Sequence, residues 1–476
     1  MVSTRRRNYD SVIITKAALP ELVRAAMEEE AVRVFDDEDE DELDGWDLEL
    51  PEDAAAYDAM YAPLSPSSST PTSRTSSPVP PPQTTSNPSS GTKRKASGKK
   101  RSKSENDKAR DKKKSKAKRQ RKAEAQQQQP PHLYEPSAYA LAQAADVHPI
   151  TTAGSTASLS VCKTGWIGKR RKVEAVDPDL ATHIAQGREL IKWDGTTTHP
   201  LVSKDGYKLA LLARKPNDPT WDASMVELAK ALEDAQGKMN FGAMRVDRRG
   251  NFNTIAAGVS YGGGQKCPGN LKHTVQNRRV VEELLQNPHM KRMVGYTRSM
   301  FRIHFPEMYD EYSKNLQSLH ADNPLLRPLF AGSPWPAVSI NFPPNAYTHI
   351  HTDAGNKPNG LCPIYCLGDF DYTKGGHLVL PDLNVVIEFP PGALIFIPSA
   401  TLRHGNIAVR PGETRTSWTQ YAAGGLFRWT EYGNMSWASL VAKSTKRRDA
   451  ELAKRSTRWQ EGLKLFPKFS LNEEDV

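Results

Sequence analysis

His351-Thr352-Asp353 sets two metal-ligating side chains one residue apart, and a further histidine, His404, follows 53 positions after His351, with Arg415 another 11 positions on. Side chains of a β-strand alternate between its faces, so on a strand His351 and Asp353 point one way and Thr352 the other. One strand end can then supply two ligands. The flanking sequence has the texture of short strands. Residues 336–342 read as a strand and 345–348 as the bend before the metal strand. Residues 375–380 and 385–389 read as apolar strands split by Pro381-Asp382-Leu383-Asn384. Residues 393–398, introduced by the turn Pro390-Pro391-Gly392, lead to His404. Short strands with regular turn signals predict a sandwich or barrel, here a double-stranded β-helix of the jelly-roll type. Helical patterning at 225–232, 280–285 and 309–319 adds flanking helices, so the expected fold class is α+β.

Two imidazoles and one carboxylate form the facial donor set that holds non-haem Fe(II) and leaves three coordination positions open. Those positions suit a chelating 2-oxoacid and O₂. Arg415 strengthens the reading, because a guanidinium fork pairs bidentately with a carboxylate such as the far one of 2-oxoglutarate. The residues thus imply an Fe(II)/2-oxoglutarate dioxygenase, with His351, Asp353 and His404 on the metal and Arg415 on the cosubstrate. His349 shares the face of His351 and is a rival ligand. It ranks behind because the acid must stand two residues after the ligating histidine. His377, in a glycine turn, reads as a structural residue of a turn or strand edge.

Gly368-Asp369-Phe370-Asp371, the run from Lys374 to Leu380, Glu388-Phe389-Pro390-Pro391-Gly392, Ile397-Pro398-Ser399-Ala400 and the run from Arg415 to Trp429 together resemble the fungal, transposon-associated branch of the TET/JBP dioxygenases. Upstream, Trp193-Asp194-Gly195, residues 214–219 and Gly262-Gly263-Gly264-Gln265-Lys266 extend the likeness to about half the chain. The resemblance implies oxidation of a methylated base in DNA, 5-methylcytosine first, to hydroxymethyl and further oxidised forms, with the base flipped into the site. It implies that Ser417 helps Arg415 hold the 2-oxoglutarate carboxylate and that Tyr421 stacks on the flipped base. Asn356 and Asn270 are similar to base-edge contacts. In one place the chain departs from the pattern: Ala423 stands where relatives can carry a base-touching histidine, so the identity of the base stays open at this point. The alternatives are an N6-methyladenine DNA demethylase, a protein or RNA hydroxylase on the same scaffold, and an inert DNA-binding chromatin protein.

Outside that region, composition organises the chain. Residues 1–150 are expected to form a disordered tail, with an acidic block at 28–53 that is a candidate protein-binding segment, a Ser/Pro-rich stretch at 60–92 and a basic block at 93–122. The basic block holds seventeen Lys and Arg against three acids, about +14, which exceeds the +10 of the whole chain. Such localised charge suggests nuclear import and sequence-independent binding of DNA phosphates, and Lys169-Arg170-Arg171-Lys172 reads as a second import signal. Residues 151–187 are expected as a linker, 188–436 as the dioxygenase domain and 437–476 as a basic helical extension. Cys162, Cys267, Cys362 and Cys366 lack the paired spacing of a zinc site, and no signal peptide or long apolar run is present, which predicts a soluble, reducing compartment without a membrane. A monomer is expected. Gly262-Gly263-Gly264 lacks the Lys-Ser/Thr and helix start of a phosphate loop.

Overall fold

A computed structural model describes residues 134–176, 179–241 and 249–469. The acidic, Ser/Pro-rich and basic blocks of the N-terminal region lie outside the described residues. Among the described residues the strands form two sheets. Nine strands make the larger. In chain order they are β1 (Ile150–Thr151), β3 (His199–Val202), β4 (Lys208–Ala213), β5 (Thr254–Ser260), β6 (Gly269–Asn270), β7 (Ala337–Asn341), β8 (Cys362–Leu367), β11 (Leu394–Ile397) and β13 (Thr416–Tyr421). Their lateral order is β1-β3-β4-β11-β8-β13-β7-β5-β6. The smaller sheet has the order β12-β9-β10-β2, from Gly405–Asn406, Leu378–Leu380, Val385–Ile387 and Glu189–Ile191.

Chain order and sheet order interleave. From β7 onward the path goes to the larger sheet, then through the segment that carries His351, back to β8, across to β9 and β10, back to β11, across to β12, and ends on β13. Strands close in sequence therefore lie in different layers, and residues far apart in sequence become neighbours. β8 sits between β11 and β13 with all six residues buried, which matches its unbroken Cys-Pro-Ile-Tyr-Cys-Leu sequence.

Helices cover the outer face of the larger sheet. The patterned segments lie in α3 (Trp221–Lys238), α4 (Val275–Gln286) and α6 (Pro306–Asp322), as expected, and α5 (Pro288–His304) joins them. The start of α5 is encoded locally: Pro288 occupies its first turn, and the Asn287 side chain accepts from the backbone N–H groups of His289 and Met290. Its buried face, Met290, Met293, Val294, Thr297, Met300, Phe301 and His304, follows helical spacing. Phe301 stacks on Phe396 of β11 with centroids 5.9 Å apart and packs against Trp335 at 4.5 Å. With that face filled, the opposite face of the sheet is left to the site.

The folded region begins earlier than the sequence suggested. Residues expected as tail and linker hold α1 (Ala138–Ala144), β1 and α2 (Leu180–Ala185), and Trp166 and Ile167 belong to the core. No long apolar run marks this segment, because it joins the core through scattered single side chains. After α7 (Gly424–Glu431), the basic C-terminal stretch, expected as an extension, forms α8 (Trp437–Lys443), α9 (Thr445–Lys454) and α10 (Arg458–Leu463) and buries Trp437, Leu440, Leu463 and Phe466 in the same core. Between these two chain ends, Arg458 lies over the Trp166 ring at 4.1 Å.

Gly168 shows how tightly the early segment is seated. A Cβ there would stand 2.0 Å from the Ala400 carbonyl oxygen, which is backbone and cannot swing away. Gly168→Ala is expected to lower stability by about 1–3 kcal/mol, read as a drop in the urea midpoint. An unshifted midpoint would mean that residues 160–172 lift off the domain without cost.

Candidate metal and cosubstrate site

The segment that carries His351 is extended but pairs with no full strand. Bonds to separate parts of the chain hold it instead. Ile350 exchanges backbone bonds with Glu174, and His351 exchanges a pair with His404, both at 2.9 Å. Asp353 N donates to Ser399 O at 2.9 Å, and Thr348 N donates to the Asn406 side chain at 2.9 Å. The expected metal strand is therefore shortened to bridges, since each residue is needed by a different neighbour. Even so, the period-two alternation survives: His351 and Asp353 face the cavity, and Thr352 is not among the residues that line it.

His351, Asp353 and His404 come together as expected, with one ligand atom from each lying within 4.8 Å of the others. His351 Nε2 lies 3.6 Å from Asp353 Oδ1, and His404 Nε2 lies 3.8 Å from Asp353 Oδ2. Both rings are oriented by carbonyls. His351 Nδ1 meets His349 O at 2.7 Å, and His404 Nδ1 meets Leu402 O at 2.9 Å. A carbonyl only accepts, so each Nδ1 carries a proton and each Nε2 is the nitrogen turned toward Asp353. That is the tautomer a metal requires. His349 contributes its carbonyl rather than its ring, which packs edge-on to Tyr347. His377 is fully buried away from the cluster.

Electrostatics favour a cation at this point. Burial acts to raise the pKa of Asp353, but the hydrogen bond and charge of His351, the charge of His404 and that of Arg249 outweigh it, so the carboxyl is held well below the usual range. Burial, then His351, pushes His404 down to about 4, leaving its imidazole neutral at physiological pH. One carboxylate and two imidazoles on three sides of a common point suit a divalent first-row metal with positions left open. The donor set thus fits Fe(II).

The cavity continues from this cluster toward Arg415. Strand alternation on β13 decides its wall. Ser417, Thr419 and Tyr421 face the cavity, while Trp418 packs on Tyr365 and Gln420 Nε2 donates to Ser333 on the other side. Ser339 and Asn341 of β7 pair in register with Thr419 and Ser417, and Asn341 Nδ2 donates to Ser417 Oγ at 2.9 Å. Arg415 is 2 % exposed, and burial lowers its pKa. Its Nη1 donates to Ala346 O, its Nε has no partner, and among the described residues no carboxylate pairs with it. A buried guanidinium without a counter-charge is costly unless an anion completes the site. The cavity therefore fits 2-oxoglutarate, with one end at the metal ligands and the other at Arg415 and Ser417.

Of the residues matched to base contacts, Tyr421 and Asn356 line the cavity and Asn270 does not. Asn356 Nδ2 donates to Ser399 Oγ at 3.2 Å, and its backbone bridges to Ala423. Asn270 is exposed on β6, where its amide donates to Leu325 O and accepts from Arg327 N, both at 2.9 Å. It shapes a surface turn, a role that short polar side chains commonly take. Arg249 was not singled out from the sequence. It stands 3.5 Å from Asp353 Oδ1 at the cavity wall, and its backbone carbonyl accepts from His349 N at 2.6 Å. No motif announces a lone arginine 102 positions before the HxD aspartate-histidine pair's first residue.

No family model and no curated protein matches the chain. Solved structures that resemble it include NgTET1 in complex with 5mC DNA, at 16% identity and TM-score 0.34, covering 56% of this chain and 89% of that one. A 2OG-Fe(II) oxygenase-family oxidoreductase from Burkholderia pseudomallei follows at 17% identity and TM-score 0.25, covering 53% and 93%. A viral collagen prolyl hydroxylase from Paramecium Bursaria Chlorella virus-1, in its 2OG complex, has 18% identity and TM-score 0.16, covering 18% and 57%. All are distant likenesses, and the chemistry is read from the residues of this chain.

Replacing Arg415 separates the two halves of the site. Arg415→Met is expected to leave the ligand-free protein as stable as wild type or more so, because it removes an unpaired buried charge. In the metal-loaded wild type, 2-oxoglutarate at a hundredfold excess over Kd should add about 2.7 kcal/mol. Thermal melts should show that gain lost in Arg415→Met. A retained gain would place the carboxylate elsewhere.

Proposed function

We propose that this chain is an Fe(II)/2-oxoglutarate-dependent dioxygenase that oxidises a methylated base in DNA, with 5-methylcytosine as the base. The observation that carries the reading is the buried Arg415, without a carboxylate partner among the described residues, opening into the same cavity as the His351-Asp353-His404 cluster. A metal cluster alone fits many chemistries, and a buried arginine alone is a structural curiosity. Together they bracket a small dicarboxylate. The interleaving of β7 through β13 between two sheets supports a double-stranded β-helix as the scaffold.

When bound, Fe(II) with 2-oxoglutarate and O₂ supplies the oxidising chemistry that converts a methyl C–H to C–OH while the 2-oxoacid becomes succinate and CO₂. The chain's own residues place and protect it. Arg415 and Ser417 hold the far carboxylate, which fixes how the other end meets the metal ligands. Ile364 and Leu378 form an apolar wall that limits water. Tyr421, at the end of β13 and 4 % exposed, offers a ring to a base that has left its stack. Arg249 lies at the cavity wall, held by Asp353.

The preference for a DNA base rests on three supports: the motif resemblance to TET/JBP dioxygenases, the position of Tyr421 and the basic block at 93–122. That block, outside the described residues, is proposed to import the protein into the nucleus and to add salt-sensitive affinity for DNA. Among the described residues no helix is long and apolar enough to cross a membrane.

Nucleoside mass spectrometry tests the reading. Protein supplied with Fe(II), 2-oxoglutarate and ascorbate is incubated with DNA carrying 5-methylcytosine or N6-methyladenine. Oxidised cytosine products are expected from wild type and not from Arg415→Ala. Loss of N6-methyl groups instead would move the substrate to adenine, and no product from either DNA would defeat the proposal. Tyr421→Ala should cost about 1–3 kcal/mol of base stacking, seen as reduced kcat/KM on DNA, with Tyr421→Phe close to wild type.

A further inference from the structure

Lys169-Arg170-Arg171-Lys172 reads from the sequence as an import signal on a linker, yet both of its ends are tied to the segment that carries the metal ligands. Gly168 N donates to Ala354 O at 2.8 Å on one side. On the other, Glu174 and Ile350 exchange bonds of 3.0 and 2.8 Å. Between these anchors, residues 169–173 stand against His351, Thr352 and Asp353, five residues against three. The surplus prevents a flat ladder and makes the run bulge, as extra residues in a paired strand do.

Four of the side chains of that bulge are cationic. Lys169, Arg171 and Lys172 are exposed, and Arg170 is half-buried. Arg171 Nη2 donates to Ser160 Oγ at 2.6 Å, which steadies the bulge, and Lys169 N donates to Ser160 O at 3.1 Å. Among the described residues Lys169, Arg171 and Lys172 have no ion-pair partner. The nearby acid Glu174 lies 3.6 Å from Arg403, which also holds Asp382. Four consecutive basic residues would repel one another in this place unless water or an anion screened them.

We propose that Lys169, Arg171 and Lys172 form a phosphate-gripping rim beside the metal site, contacting the sugar–phosphate backbone of the DNA strand that carries the target base. This rests on the DNA reading above. When a nucleotide is flipped, only its base enters the pocket, and the flanking phosphates stay outside beside the protein surface. Phosphate contacts carry no sequence information, but they set register and orientation on the strand. The 169–172 run offers charge and register together, because its flanking backbone is bonded to the residues on either side of His351 and Asp353.

The test uses full-length protein and a duplex oligonucleotide containing 5-methylcytosine, with affinity followed by fluorescence anisotropy between about 50 and 200 mM salt. The K169Q/R171Q/K172Q variant should reduce the slope of log affinity against log salt by about 2.7, from about 0.9 per lost phosphate contact. It should also raise KM for the oligonucleotide and leave kcat unchanged. Binding of one Co(II) as in wild type reports that the variant keeps its fold, and K169R/K172R, which retains the charge, should keep the wild-type slope. An unchanged slope in the glutamine variant overturns the rim. If wild type oxidises neither methylated base while the glutamine variant still loses slope, the oxidation reading fails and the rim stands.

Discussion

Two backbone hydrogen bonds between His351 and His404 hold the site together. They join residues 53 positions apart and set both imidazoles on adjacent extended segments with their centroids 4.3 Å apart. A metal site needs its donors preoriented, because ordering them at binding would cost affinity. Here the backbone does the orienting, and the carbonyls of His349 and Leu402 complete it by fixing each ring's tautomer. The packing of Phe301 on Phe396 and the all-buried β8 keep the two sheets in the positions that make this bridge possible.

Charge is distributed along the cavity with a clear polarity. Asp353 brings the single negative charge to the metal end, balanced in part by Arg249. Arg415 brings an uncompensated positive charge to the far end. Such an arrangement is unfavourable when left alone and favourable when a cation sits at one end and an anion at the other. The fold carries this tension because its apolar core is extensive around it, from the tryptophans and phenylalanines under the helices to β11 and β13.

The site was readable in the sequence to an unusual extent for a local reason. The HxD spacing survives in any extended backbone, and the odd-numbered alternation from Arg415 through Ser417 to Tyr421 is a property of one strand. Parts of the helices at 221–238, 275–286 and 306–322 were visible through their period, at 225–232, 280–285 and 309–319. Asn270, matched through the resemblance as a base-edge contact, lies outside the cavity, where its amide holds a neighbouring turn. Arg249 and the bonding of residues 168–174 to the metal segment had no local signal at all. The early start of the folded region went unseen for the same reason: Trp166 and Gly168 join the core one residue at a time.

By itself the sequence determined the chemistry of the donor set, the arginine behind it, and the strand and helix periods that predict a mixed α and β domain. These are properties of residue type and short spacing, which a chain carries before it folds. Only the tertiary structure decided that Arg415 has no carboxylate partner among the described residues, that Arg249 stands at Asp353, and that a basic run expected in a linker lies beside the metal segment. Partnership and proximity depend on long-range backbone pairing, and no period or motif within one segment records which distant segment will be bonded to it.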